Sequence, residues 1–189
     1  PNNLVPLQFG SDKMCVLSWN GRGICVVNIP NRHKMGCKVK ALAEGRTILA
    51  LQEVHGAEAE IQTQLEHWLP GWTIFVSAYK DRYGSVVPGT GGMVLAFCPQ
   101  LSLLANFANT VLVHGRCIGT RISYLDKVLT VVNIHNYGVL KSAALGIICP
   151  LPPKMLRSPP PTRFVFSLGI LTSKLKTKDD SRLGVTLKV

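Results

Sequence analysis

No run of about 18 apolar residues occurs in the 189-residue chain, and no basic-then-apolar pattern opens it, so neither a membrane span nor a secretory signal is supported. An intracellular protein, nuclear or cytoplasmic, is expected. The six cysteines (Cys15, Cys25, Cys37, Cys98, Cys117, Cys149) include no Cys-x-x-Cys pair, which removes the close spacing of a zinc ribbon or finger and leaves reduced, mostly buried thiols as the expectation. There is no internal repeat. Acid is scarce: 10 Asp and Glu stand against 21 Lys and Arg, a formal charge of +11 that favours a polyanionic partner such as nucleic acid. Charged residues make up 16% and aromatics 7%, but 47% of the chain is hydrophobic, which excludes a disordered or fibrous class. A chain of this length buries roughly 70% of its unfolded surface, enough for a core without disulfides or a structural metal. Pro1 as first residue suggests a fragment or a processed product.

The charge is uneven. Residues 1–140 carry 12 basic and 8 acidic residues, whereas 141–189 carry 9 and 2 together with six of the twelve prolines. The expected division is therefore 1–140 as a folded part and 141–189 as a Pro-rich basic tail, degenerate or poorly ordered. Within the tail, 150–163 reads as a linker, Arg163–Leu171 as a short strand and Leu175–Val189 as a weakly ordered end.

The first part alternates between α and β. Met14–Trp19 predicts a strand, followed by a loop from Arg22 to Pro30. Met35, Val39 and Leu42 then mark one face of a helix ended near Gly45. Thr47–Val54 is a contiguous apolar run, typical of a strand buried on both faces. Ile61, Leu65, Trp68 and Leu69 stripe a second helix stopped at Pro70-Gly71. Further strands are predicted at Trp72–Ala78, Gly92–Cys98, Leu103–Val113, Arg116–Leu125 and Lys127–Asn133, the last two joined by a turn at Asp126.

A strand–helix–strand unit crosses over right-handed and leaves its two strands parallel, so both carboxyl ends emerge at one sheet edge, where open α/β sheets bind ligands. Asn20 and Glu53 stand at those ends. An amide and a carboxylate there suit a hard cation such as magnesium, which keeps several waters; they suit equally a turn starter beside Gly21 and a solvated strand terminus. Arg22, in the adjoining loop, reads as a phosphate ligand or a solvated charge. Lys80, Arg82 and Tyr83 begin a glycine-rich loop that reads as a track for a nucleic-acid backbone, with Tyr83 able to stack on a base, or as a flexible hairpin connection. His55 reads as a metal-site neighbour or a surface cap, and His33, His67 and His114 receive no role.

Ser18-Trp19-Asn20-Gly21-Arg22-Gly23 and Leu51-Gln52-Glu53-Val54-His55 resemble the first two motifs of the endonuclease/exonuclease/phosphatase superfamily, in the style of the apurinic-type endonucleases of LINE-like retrotransposons. Gly91-Gly92-Met93-Val94-Leu95 resembles its glycine-started central strand, and Val131–Asn136 its strand ending in Tyr or His. The resemblance implies a four-layer α/β sandwich of the pancreatic deoxyribonuclease type, incomplete in its C-terminal half. It implies magnesium at Glu53, an orienting role for Asn20, and phosphate contact or protonation by His135. The family's later Asp-x-Asn and Ser-Asp-His motifs are missing: after Asn136 the only acids are Asp179 and Asp180, and His135 is the last histidine. Three readings result. One is a Mg²⁺-dependent DNA-nicking domain of a retroelement polyprotein, inactive in this chain. Another is a module that binds DNA or RNA without cutting, and the third is a phosphatase on small phosphoesters or lipids.

Overall fold

A computed structural model describes residues 13–25, 29–124, 127–135, 163–170 and 182–188. Two twisted sheets face each other, and two helices cover the outer side of the first. In chain order the elements are β1 (Lys13–Asn20), α1 (Ile29–Ala43), β2 (Ile48–Gln52), α2 (Glu58–Trp68), β3 (Thr73–Ser77), β4 (Met93–Phe97), α3 (Pro99–Leu104), β5 (Asn106–Val113), β6 (Cys117–Tyr124), β7 (Lys127–His135), β8 (Arg163–Ile170) and β9 (Arg182–Lys188). The sheets run β3-β4-β2-β1-β9 and β5-β6-β7-β8. No helix among the described residues is long and apolar enough to cross a membrane.

Strand alternation builds two cores from the first sheet. Leu17 and Trp19 of β1, Leu49 and Leu51 of β2, and Val94 and Ala96 of β4 point outward to Val39, Leu42, Ile61, Leu65 and Trp68 of the helices. Val16, Ile48, Ala50, Met93, Leu95 and Phe97 point the other way, onto Ile118, Ile122 and Val131 of the second sheet. This is the period of two expected of pleated strands. All five residues of β2 are buried, as its contiguous apolar run requires. Phe97 and Phe107 meet across the sheets with ring centroids 4.9 Å apart, and Phe75 lies 6.0 Å from each. Fully burying such a ring contributes about 2–3 kcal/mol.

The crossover is as the sequence predicts: β1 and β2 are parallel, with Asn20 opposite Gln52. Three local readings change. Helix α1 begins at Ile29, inside the expected loop. Pro99–Leu104, whose last two residues were expected to open the strand Leu103–Val113, forms the short helix α3, with proline pre-set for the first turn and Ser102 Oγ donating back to the Phe97 and Cys98 carbonyls. Arg182–Lys188, expected as a weakly ordered end, is a strand antiparallel to β1. Arg163–Ile170 is the expected strand, parallel to β7. The division after Leu140, the linker over 150–163 apart from Arg163, which opens β8, the Asp126 turn, Cys149, Asp179 and Asp180 lie outside the described residues.

Candidate active site

The site forms where the rims of the two sheets meet. Strand β2 ends at Gln52, and the chain turns sharply: Glu53 has φ 53° and His55 φ 55°, with Arg22 in the facing loop at φ 47°. These are the non-glycine residues with positive φ among the described residues, and each costs roughly 1–2 kcal/mol relative to ordinary backbone. Strain of this kind survives only where surrounding contacts over-determine it. Here the Gly21 and Gly23 N–H groups donate to the Gln52 and Glu53 carbonyls at 2.7 and 2.6 Å, while Val54 and His55 N–H donate to Gly92 and Gly91 at 3.3 and 3.1 Å. Gly92 has φ 91°, and a Cβ there would stand 2.8 Å from Val54 Cγ2, so the glycine lets the second loop close on the first.

Into this corner project Glu53, His55, Arg116 and His135. The Glu53 Oε1 atom accepts from Arg116 Nη1 at 2.9 Å and from His135 Nδ1 at 2.8 Å, and Oε2 accepts from His55 Nε2 at 2.9 Å. A carboxylate only accepts, so the hydrogen lies on the imidazole nitrogen facing it in each histidine. The 3.2 Å approach of Arg116 Nη1 to His135 Nδ1 is then a contact between two donors sharing one oxygen. The hydrogen bond from His135 is the largest of the influences that hold the Glu53 carboxyl at about 2; burial opposes it, and the His55 bond with the His135 and Arg116 charges reinforces it. Arg116 is 11% exposed and its guanidinium lies 4.8 Å from the Tyr79 ring centroid, a cation–π arrangement that fixes the fork.

Beneath the site lies a buried amide pair. The two hydrogens of Gln52 Nε2 are shared among three acceptors, Ser18 Oγ at 2.9 Å, the Ala50 carbonyl at 3.2 Å and Asn133 Oδ1 at 2.6 Å. Asn133 Nδ2 donates to the carbonyls of Leu51 and Val94 at 3.0 and 2.9 Å. Gln52 immediately precedes Glu53, and Asn133 lies two residues before His135 on the same face of β7. The pair therefore ties the two rims together directly behind the carboxylate.

Of the residues singled out from sequence, Glu53 and His135 touch each other. Asn20 lies at the same sheet edge, and its Oδ1 accepts from the Arg22 N–H at 3.1 Å rather than reaching the carboxylate. Arg22 is exposed. Lys80, Arg82 and Tyr83 lie apart, in a turn closed by Asp81, whose Oδ1 accepts from the Tyr83 and Ser85 N–H groups at 2.8 and 2.9 Å. Arg82 stacks on Tyr83 at 4.6 Å, and Tyr83 is 76% exposed. His55 joins the carboxylate instead of capping a surface helix. Sequence reasoning missed Arg116, Tyr79, Gln52 and Asn133. Arg116 follows His114-Gly115 in a hairpin turn, where a basic residue reads as a solvated charge.

The expected magnesium does not fit this donor set. Glu53 holds three N–H donors on its two oxygens, one of them a guanidinium at 2.9 Å, and Asn20 Oδ1 is already engaged. Magnesium demands near-octahedral oxygen ligation. Among the described residues no group of three or more His, Cys, Asp or Glu could hold a metal. The other described acids have structural work: Glu58 accepts from the Ala78 N–H and Glu60 from the Ala57 N–H, Glu66 pairs with Gln62, Asp81 closes its turn, and Glu44 is exposed.

No family model and no curated protein matches the chain by sequence. Solved structures do match. The endonuclease domain of TRAS1, a telomere-specific non-LTR retrotransposon, superposes with a TM-score of 0.53 at 15% identity, over 86% of this chain and 60% of that one. The chain has the endonuclease/exonuclease/phosphatase fold. The AP endonuclease LMAP from Leishmania major gives 0.51 at 15% identity over 76% of this chain and 47% of its own. D. rerio TDP2 complexed with single-strand DNA product gives 0.53 at 15% over 84% and 60%. The chain thus spans about 60% of the TRAS1 and TDP2 chains and about half of LMAP.

Proposed function

We propose that this chain is a nuclease-fold domain of retroelement ancestry that binds DNA through its phosphates and does not hydrolyse it. The observation that carries the reading is the state of Glu53: its carboxylate is neutralised by Arg116 and held by two imidazoles, with no second carboxylate beside it among the described residues. Phosphodiester hydrolysis needs an activated water as well as charge stabilisation. A carboxylate held near 2 is too weak a base at neutral pH to take a proton from water efficiently, and no other described acid is bonded to Glu53 or to the residues around it.

Binding has its own support. Arg22 is exposed at the ligand edge, Tyr83 presents an open aromatic face with Arg82 stacked on it, and the formal charge is +11. Base–aromatic stacking together with a basic track is the usual means of holding a nucleic acid without reading its sequence. DNA is the favoured partner, and RNA is the comparison arm of the test.

The test pairs a supercoiled-plasmid nicking assay in magnesium with a binding titration at several salt concentrations. We expect salt-sensitive binding without nicking, weakened by Arg22→Ala and by Arg82→Ala with Tyr83→Ala. Nicking abolished by Glu53→Ala would overturn the reading in favour of an enzyme. No binding at low salt would overturn it as a whole.

A further inference from the structure

Strands β3 and β9 bound the first sheet, and β5 and β8 bound the second. An edge strand presents main-chain N–H and C=O groups that pair readily with another chain, and natural edges are blunted by charge, by bulges or by covering groups. Three of the four edges carry charge or cover. Strand β8 contains Arg163, and β9 contains Arg182 and Lys188. Strand β3 is uncharged, but Ser102 Oγ accepts from the Thr73 N–H at 3.1 Å and Gln62 Nε2 donates to the Ile74 carbonyl at 3.4 Å. Strand β5, Asn106–Val113, has no charged residue, and no hydrogen bond from the described residues reaches its free edge. Its one irregularity is a register shift between Val111 and Val113, which leaves Asn106–Val111 as a regular edge about 20 Å long.

Charge and exposure single out the same region. Residues 83–115 contain no Asp, Glu, Lys or Arg, in a chain of formal charge +11. The exposed large hydrophobics among the described residues, Tyr83, Val86, Leu103 and Leu104, all fall in this span. Leu103, 78% exposed, and Leu104 end α3 directly before β5. The rings of Phe75 on β3 and Phe107 on β5 lie 6.0 Å apart, so these two uncharged edges share one side of the sandwich, while the edges with basic residues end the sheets at the other. A nucleic acid finds no cation here to meet its phosphates. A second copy of the chain does fit: two molecules of charge +11 repel across their basic surfaces, and this neutral side is where they can approach.

The geometry points to a two-fold dimer in which β5 of one copy pairs antiparallel with β5 of the other, away from the Glu53 site. Such pairing is self-complementary, because the same uncharged strand is used on both sides. It joins the two second sheets into one continuous sheet in the order β8-β7-β6-β5-β5-β6-β7-β8. It also brings the Leu103–Leu104 end of each copy to the Val111–Val113 end of the other, which covers the exposed leucines.

The test is sedimentation equilibrium of the full chain, free of nucleic acid, over a concentration series at low and high salt. The expected result is a monomer–dimer equilibrium that salt leaves unchanged or tightens, since salt screens the repulsion between the two basic chains. Thr110→Lys and Leu103→Lys each set a positive charge against the other copy, twice per dimer, and raise the dissociation constant about tenfold or more. Thr63→Lys, the same added charge on the exposed surface of α2, leaves it unchanged. Hydrogen exchange at the amides of Asn106–Val111 slows with protein concentration in the wild type and does not in Thr110→Lys. A monomer at every concentration up to millimolar overturns the proposal, as does a dimer that survives both lysine variants with wild-type circular dichroism. Protection of Asn106–Val111 that is independent of concentration also overturns it, since the edge would then be covered within one chain. Leu103→Lys, at a site outside the core, keeps the test decisive where Thr110→Lys fails to fold. With no nucleic acid present, the outcome is separate from that of the DNA-binding reading.

Discussion

Replacing Glu53 by glutamine keeps the shape of the side chain and removes its charge. Arg116, 11% exposed, then loses its counter-ion, and one of the two amide positions confronts donors with a donor. Lowering the carboxyl from 4.5 to about 2 corresponds to about 3 kcal/mol of stabilisation. The side chain remains 17% exposed, and solvent screening reduces this to about 1–2 kcal/mol. The sign follows from linkage: a carboxyl lowered in the folded state contributes fully above its unfolded value, and the contribution is lost as pH falls through the folded one. Urea unfolding of wild type and Glu53→Gln should therefore differ by about 1–2 kcal/mol at pH 7, with the gap shrinking between pH 4.5 and about 2. A gap that is absent at pH 7, or that stays constant down to pH 3, would refute the reasoning.

Gln52→Leu should cost about 2–3 kcal/mol, since it strands the buried Asn133 Oδ1 and Ser18 Oγ; a denaturant double-mutant cycle with Asn133→Leu should show coupling of about 1 kcal/mol or more. Gly92→Ala should cost about 1–3 kcal/mol in thermal unfolding, because φ 91° and the 2.8 Å approach to Val54 act together. Burial pushes the Cys25 and Cys117 thiols up to about 12, so a thiol reagent at pH 8 should label exposed Cys37 well before these two; equal labelling rates would contradict the packing.

The crossover that carries the site was legible because its signals are local. A β strand, one apolar helix face at spacings of four and three, and a second all-apolar run are readable within forty residues, and Glu53 sits at the end of that unit. Strand β9 was hidden by its charge: Leu183, Val185 and Leu187 alternate as a strand should, but the lysines and arginines around them read as a solvated tail. Helix α3 was hidden because Leu103 and Leu104 run straight into a true strand, which masks the helix-start signal of Pro99. Beyond His135 and His55, the site partners were not legible. Arg116 is 63 residues from Glu53, and Asn133 is 81 residues from Gln52; only the facing of two sheets brings them together, and nothing in the local sequence records that pairing.

The most direct test is a carbon-13 titration of the Glu53 side-chain carboxyl, with and without millimolar magnesium. A midpoint near 2, unmoved by the metal, is what the Arg116–His135–His55 cage requires. A midpoint near 4.5, or one displaced by magnesium, would mean that the carboxylate is free for the cation and that the site is not the closed one described.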